Sequence, residues 1–125
     1  MTADARVLVV EDDEILRDTL VEVLGDEGYD VRSASNGRAA LEALDQWEPD
    51  VIVLDLMMPL MDAFEFRRHQ VAADLAPQSR VLILSAARDL ETAAEQIGAD
   101  AWMAKPFRLL EVIEIVERLV REAAA

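Results

Sequence analysis

Short apolar runs recur along the chain without alternating with polar residues. Four of them cover residues 7–10, 51–54, 81–84 and 101–104. Strands with this pattern are typical of parallel sheets whose two faces are both covered by helices. A weaker fifth segment, residues 30–34, mixes polar and apolar positions and suits the edge of a sheet. The pattern therefore predicts five strands, four of them buried on both faces.

Segments with helical periodicity lie between these runs. In the first, Leu16, Leu20 and Leu24 recur every four residues, as expected for a helix with one buried face. Asp13 is a plausible N-cap for this helix, and Gly28 is a plausible stop. Four further helices are predicted: one opening near Asn36-Gly37, one over about residues 64–72, one over about residues 90–97 ended by Gly98, and one carrying Leu109, Ile113, Val116 and Val120.

The order of elements is strand then helix, repeated five times. Such alternation indicates parallel strands joined by right-handed helical crossovers. We therefore predict a single α/β domain over residues 1–125, with its core at about residues 5–122. The expected architecture is a doubly wound five-stranded parallel sheet of flavodoxin-like order 2-1-3-4-5.

Composition and charge narrow the possible functions. The 125 residues contain no cysteine and one histidine, which excludes a thiolate metal site, a cysteine nucleophile and a two-histidine site. The net charge of −14 argues against direct binding to nucleic acid or to a membrane surface and favours cations. No apolar stretch is long enough to span a bilayer and no secretory signal is visible, so we expect a cytoplasmic location.

Polar residues follow the predicted strands at the point where each strand ends. Glu11 and Asp12 follow the first strand, and Asp55 follows the third. Ser85 follows the fourth strand and Lys105, the single lysine, follows the fifth. In the order 2-1-3-4-5 the first and third strands are neighbours, and ligand sites form beyond the carboxyl ends of the strands. We therefore expect these five side chains to lie close together.

Three carboxylates around one ammonium group repel one another and favour a divalent cation. Oxygen ligands without histidine or cysteine select Mg²⁺, Mn²⁺ or Ca²⁺, and a small open site suits Mg²⁺ best. A carboxylate held among a metal ion, an ammonium group and a hydroxyl group can act as a nucleophile in phosphoryl transfer. Each residue alone is more typical of a cap or a loop, so the prediction depends on the set of five.

The chain resembles the receiver domain of two-component response regulators over essentially its whole length. The motifs that carry the resemblance are Glu11-Asp12, Asp55-Leu56-Met57-Met58-Pro59, Met61-Asp62, Ser85-Ala86 and Lys105-Pro106-Phe107. The resemblance implies that Asp55 is the phosphoacceptor, that Asp12 and Asp55 bind Mg²⁺ directly, and that Glu11 binds it partly through water. It also implies a contribution from the backbone carbonyl of Met57, with Mn²⁺ as a possible substitute for Mg²⁺.

Further roles follow from the same resemblance. Lys105 would contact one phosphoryl oxygen and Ser85 would donate a hydrogen bond to another. Trp102 would be the aromatic switch residue, although the family usually has Tyr or Phe there. The peptide bond between Lys105 and Pro106 would be cis.

Two features leave alternatives open. The metal pair could be Glu11-Asp12 or Asp12-Asp13; the first is preferred because Asp13 is better placed as the N-cap. The family usually has glycine after the Met-Asp pair, where this chain has Ala63. If that position needs a positive φ, alanine is disfavoured by about 1 kcal/mol or more.

The expected function is that of a signalling phosphoacceptor rather than an enzyme acting on separate substrates. Its partners would be a sensor histidine kinase or histidine phosphotransfer protein upstream, and an effector protein or fused output domain downstream. It would be a monomer or a phosphorylation-dependent dimer. The alternative is a degenerate receiver that serves only as a protein-interaction module. A phosphohydrolase is disfavoured by Met57, and a flavin or nucleotide carrier by the acidic run Glu11-Asp12-Asp13.

Overall fold

The computed structural model describes residues 4–58 and 60–124, in which five strands and five helices alternate. Residues 1–3, 59 and 125 lie outside the described residues, so Pro59 of the resemblance motif is not described. The strands are β1 (Arg6–Val10), β2 (Asp30–Ala34), β3 (Val51–Asp55), β4 (Arg80–Ser85) and β5 (Ala101–Ala104). The helices are α1 (Glu14–Asp26), α2 (Gly37–Leu44), α3 (Ala63–Ala72), α4 (Leu90–Ile97) and α5 (Leu109–Ala124).

The strands form one parallel sheet in the order β2-β1-β3-β4-β5, which confirms the predicted topology. In the register of β1 and β3, Val10 pairs with Leu54. In the register of β3 and β4, Asp55 pairs with Leu84. The residues that follow Val10 and Leu54 therefore leave the sheet side by side, because parallel strands end at the same edge.

Two hydrophobic layers cover the central strands β1, β3 and β4. The prediction that residues 101–104 are buried on both faces is wrong, because β5 is an edge strand in which only Ala101 is buried. Side chains from α2, α3 and α4 pack with Leu8, Ile52 and Ile83 on one face. Side chains from α1 and α5 pack with Val9 and Leu82 on the other. Successive residues of a strand point to opposite faces, so a continuous apolar run serves both layers. Of the described helices, none combines the length and the hydropathy that crossing a bilayer requires.

The helix boundaries agree closely with the sequence-based predictions. The Asp13 side chain accepts a hydrogen bond from the Leu16 backbone N–H at 3.1 Å and caps α1. Asn36 caps α2 in the same way. Gly98 ends α4 with φ of +79°, a conformation in which glycine carries no Cβ penalty. The largest difference is at α3, which begins one residue before the predicted Phe64.

The loop between β3 and α3 shows whether residue 63 needs a positive φ. This residue is the first of α3 and is fully buried, and the positive φ in the loop occurs instead at Leu60, at +68°. Alanine at position 63 therefore carries no φ penalty. The loop also approaches Gly37, where an added Cβ would lie 2.9 Å from Met61 Cγ. This close approach seats the loop against the first turn of α2.

Candidate functional site

Three acidic side chains meet at the carboxyl edge of the sheet. Glu11 and Asp12 follow β1, and Asp55 is the last residue of β3. One carboxylate oxygen from each lies within 4.8 Å of the others. The neighbouring positions of β1 and β3 bring them together, as the strand order predicted.

The three carboxylates differ in their exposure to solvent. Glu11 and Asp55 are buried, at 2% and 6% exposure, whereas Asp12 is exposed. The neighbouring carboxylate of Asp13 faces the N-terminus of α1 and caps that helix. This geometry favours the Glu11-Asp12 register over the Asp12-Asp13 register. A site with two buried acids and one exposed acid is open to a cation from solvent on one side.

Lys105 supplies the positive charge of the cluster. Its Nζ lies 2.8 Å from Glu11 Oε1 and 3.5 Å from Asp55 Oδ2. Burial alone would lower the pKa of Lys105, but the hydrogen bond with Glu11 and the charge of Asp55 outweigh it and raise that pKa. The lysine is therefore held in its charged form. The peptide bond between Lys105 and Pro106 is cis, as the resemblance implied.

The carboxyl group of Asp55 has a strongly perturbed pKa, raised from its usual 3.8 to about 7. The main cause is burial, which disfavours the charged form, followed by the charge of Glu11. Lys105 and the Met57 backbone N–H act in the opposite direction. That N–H lies 3.4 Å from Asp55 Oδ1. The metal-free cluster thus holds more negative charge than one ammonium group neutralises.

Glu11 is fixed by contacts that the sequence did not indicate. Its Oε2 accepts a hydrogen bond from the Asp13 backbone N–H at 3.1 Å. The guanidinium of Arg17, on α1, donates to the Glu11 backbone carbonyl at 3.0 Å. Arg17 lies six residues further along the chain, and no periodic pattern in the sequence links the two residues. The bond from Asp13 holds the carboxylate whose other oxygen faces Lys105, and the bond from Arg17 fixes the backbone at residue 11.

The remaining predicted residues lie at the end of β4, in the loop after β3 and on β5. Ser85 is buried at the end of β4, and its hydroxyl oxygen accepts a hydrogen bond from the Ala87 backbone N–H at 3.1 Å. The Lys105 backbone N–H donates to the Ser85 carbonyl at 2.9 Å, which joins the ends of β4 and β5. Met57 projects its side chain into solvent. Trp102 lies on β5 with 41% of its surface exposed, outside the two hydrophobic layers.

The donor set suits a hard divalent cation. It consists of carboxylate oxygens, without histidine or thiolate, gathered within 4.8 Å. Oxygens that share one Mg²⁺ lie within about 4.2 Å of each other, because each binds at 2.0–2.1 Å. The upper limit of 4.8 Å on the separations seen here is slightly larger than this value. The excess negative charge also favours a cation, so the residues present fit the metal that the sequence predicted.

Comparison with known proteins identifies the family. The sequence matches the response regulator receiver domain over residues 7–117. The chain belongs to this family, whose members act in two-component signal transduction. It is similar to the transcriptional regulatory protein PdtaR of Mycobacterium tuberculosis, with 34% identity over 118 residues, which cover 92% of this chain and 56% of PdtaR. The chain thus spans little more than half the length of that relative.

Solved structures agree with this assignment. The chemotaxis response regulator CheY4 of Vibrio cholerae is 30% identical, with a TM-score of 0.85 over 94% of this chain and 99% of CheY4. The response regulator TrrA of Thermotoga maritima, solved in complex with Mg²⁺-BeF, is 29% identical, with a TM-score of 0.80 over 92% of this chain and 98% of TrrA. The acidic cluster described above is of the kind at which receiver domains bind Mg²⁺.

Proposed function

We propose that this receiver domain accepts a phosphoryl group on Asp55 with the help of Mg²⁺. The observation that carries the proposal is the position of the Asp55 carboxylate, buried between Glu11 and Lys105 with Asp12 at the solvent side. The donor would be a phosphohistidine on a sensor histidine kinase or on a histidine phosphotransfer protein. A structural ion pair alone does not require a third carboxylate within 4.8 Å of the other two.

The chemistry requires one bond to form and one to break. An Asp55 carboxylate oxygen bonds to phosphorus while the bond from phosphorus to the donor histidine nitrogen breaks. The electron pair stays on that nitrogen, which then takes up a proton, and the product on Asp55 is an acyl phosphate. Such transfer depends mostly on positioning and on charge neutralisation.

The residues of the cluster divide these tasks. Glu11, Asp12 and Asp55 would hold Mg²⁺ together with the Met57 carbonyl. When bound, Mg²⁺ supplies positive charge beside the transferred group. Lys105 would neutralise a phosphoryl oxygen, since its Nζ already lies 3.5 Å from Asp55 Oδ2.

Phosphorylation would also change the partners of Lys105 and Ser85. Lys105 is closer to Glu11, at 2.8 Å, than to Asp55. Added negative charge on Asp55 would draw the ammonium group toward it and attract the hydroxyl group of Ser85, which is an O–H donor. Both residues lie at the ends of adjacent strands, so their movement would shift an existing equilibrium at β4, β5 and the exposed Trp102. An effector protein or a fused output domain would read that surface.

Phosphorylation by a small donor provides a direct test. Wild-type protein incubated with acetyl phosphate and Mg²⁺ should gain one phosphoryl group, measured by intact mass spectrometry. Asp55→Asn should gain none, because it lacks the nucleophile. Asp13→Asn is the matched control and should behave as wild type, because the Asp13 side chain caps α1 and asparagine can do the same. Wild-type protein that binds Mg²⁺ but stays unmodified would instead support the degenerate, interaction-only receiver.

A further inference from the structure

A groove of about 660 Å³ lies between α3 and α4. Phe64, Arg67, Arg68 and Val71 of α3 line one side, and Gln96 and Ile97 of α4 line the other. Both helices begin at the carboxyl edge of the sheet and run back toward its amino edge. Because Gln96 and Ile97 form the last turn of α4, the groove extends to the end opposite Asp55.

The groove exposes apolar surface. Val71 has 68% of its surface accessible to solvent, and Phe64 is half-buried. Ile97 is buried and belongs to the hydrophobic layer beneath. An apolar side chain inserted between the helices would therefore contact Val71 above and the core below. Exposed apolar residues grouped in a concave surface are a feature of sites that bind other proteins.

The charge of the groove is opposite to that of the protein. The chain carries −14, yet its lining includes two arginines and no carboxylate. Among residues 4–58 and 60–124, no ion pair involves Arg67 or Arg68. A small basic surface on an acidic protein attracts an acidic partner locally.

Arg67 is held in position to receive such a partner. Its Nε donates to the Ile97 carbonyl at 3.1 Å, and its Nη1 donates to Gln70 Oε1 at 2.6 Å. Gln70 is itself buried and donates to the Leu75 carbonyl at 3.1 Å. The guanidinium is therefore fixed across the groove, with N–H groups left over for a carboxylate. Arg68, next to it, is exposed to solvent.

We propose that the α3–α4 groove binds an acidic amphipathic segment of a partner protein. Carboxylates of that segment would pair with Arg67 and Arg68, and an apolar side chain would pack on Val71 and Ile97. A second copy of this chain is a poorer occupant, because its full charge of −14 is repelled by the whole molecule more strongly than the few carboxylates of a short acidic segment. Phosphate-rich surfaces are repelled in the same way. The binding surface would be separate from the phosphoacceptor site.

The test uses a labelled synthetic peptide in which leucine and glutamate repeat at helical spacing. We expect it to bind, by fluorescence anisotropy, and to shift the backbone amide resonances of Val71, Gln96 and Ile97. Arg68→Glu and Val71→Glu should each weaken binding at least about tenfold. Both positions are exposed, so neither change should unfold the protein.

The control variant is Arg121→Glu, which makes the same charge change on α5, on the opposite face of the sheet. It should bind the peptide as wild type does. Equal weakening in Arg121→Glu would show that only net charge matters and would overturn the proposal. So would resonance shifts confined to α5 or β5, or no binding at millimolar peptide. If the free chain self-associates and Arg68→Glu abolishes that association, the occupant of the groove is a second copy of the chain and the proposal of a partner segment is wrong.

Discussion

The interior of β4 and two acids at the carboxyl edge of the sheet, Glu11 and Asp55, are all buried, yet burial has opposite consequences in the two places. Leu82 and Ile83 in β4 are fully buried among apolar side chains. Glu11 and Asp55 have 2% and 6% of their surfaces exposed, but they bring negative charge to the same depth. In the strand interior, burial stabilises the fold. At the strand ends it raises the pKa of Asp55 to about 7, which costs stability and prepares a binding site.

The domain thus gives up stability where carboxylates are buried at the carboxyl edge of the sheet. Lys105 offsets part of the cost through its contacts with Glu11 and Asp55. The three carboxylates leave a net negative charge that a divalent cation or a rearranged lysine can offset. The apolar interior has no comparable sensitivity to ligands. Three substitutions measure the difference.

The largest expected effect is in the strand interior. Leu82→Ala should lower the free energy of unfolding by about 2–5 kcal/mol, because it removes buried methyl groups and leaves a cavity. Urea denaturation followed by circular dichroism measures this loss. The exposed Leu110→Ala on α5 is the matched control and should cost less than about 1 kcal/mol. Similar losses for the two variants would mean that Leu82 is not a core residue.

The next largest effect is that of Asp55→Asn, which should raise the free energy of unfolding by an amount that depends on pH. Without metal, the folded state binds a proton on Asp55 up to about pH 7, whereas the unfolded chain releases it near 3.8. The Asp55 carboxylate therefore costs nothing below its usual pKa, and its cost grows as pH rises to about 7 and then stays level. Asp55→Asn removes the cost, so it should stabilise the metal-free protein by about 1–3 kcal/mol at pH 8.

Denaturation of both proteins in EDTA at pH 4.5 and pH 8 tests this prediction, with the two pH values chosen to lie on either side of about 7. The difference between variant and wild type should be several-fold larger at the higher pH. Asp45→Asn, an exposed change on the same chain, corrects for the altered net charge. A difference for Asp55→Asn that does not change with pH would contradict the clustered-charge explanation.

The smallest effect distinguishes two adjacent acids. Asp12→Asn should weaken Mg²⁺ binding about tenfold or more, equivalent to about 1.4 kcal/mol, because it removes a carboxylate from the cluster. Asp13→Asn should leave binding close to wild type and change stability by less than about 0.5 kcal/mol, since asparagine is an equally good N-cap. Calorimetric titration with Mg²⁺ measures both. A larger loss for Asp13→Asn would restore the Asp12-Asp13 register.

The sequence predicted the sheet and the meeting of three acidic side chains at one edge, because both follow from the apolar runs and the strand order. Continuous apolar runs located the strands, and the strand order placed Glu11, Asp12 and Asp55 at one edge. The close agreement at α4 reflects a clear stop at Gly98. These features depend on a few neighbouring residues and on the geometry of parallel strands.

Other features depend on long-range packing, which no periodicity signals. Arg17 donates to the Glu11 carbonyl only because α1 folds back over the end of β1. The guanidinium groups of Arg6 and Arg32 lie 5.7 Å and 4.7 Å from the ring centroid of Trp47, a contact joining β1, β2 and the turn before β3. The positive φ of Leu60 was also not predicted, because the sequence pointed to Ala63 instead.

The fit of Gly37 against Met61 has a mechanical consequence. A methyl group at residue 37 would clash with Met61, since its carbon would lie 2.9 Å from both the Cγ atom and the carbonyl oxygen of that residue. Either α2 or Met61 must then shift, and Met61 belongs to the segment that leads from Asp55 into α3. Gly37→Ala, one uncharged substitution on α2, would thus displace the geometry around Asp55 without removing any ionisable group.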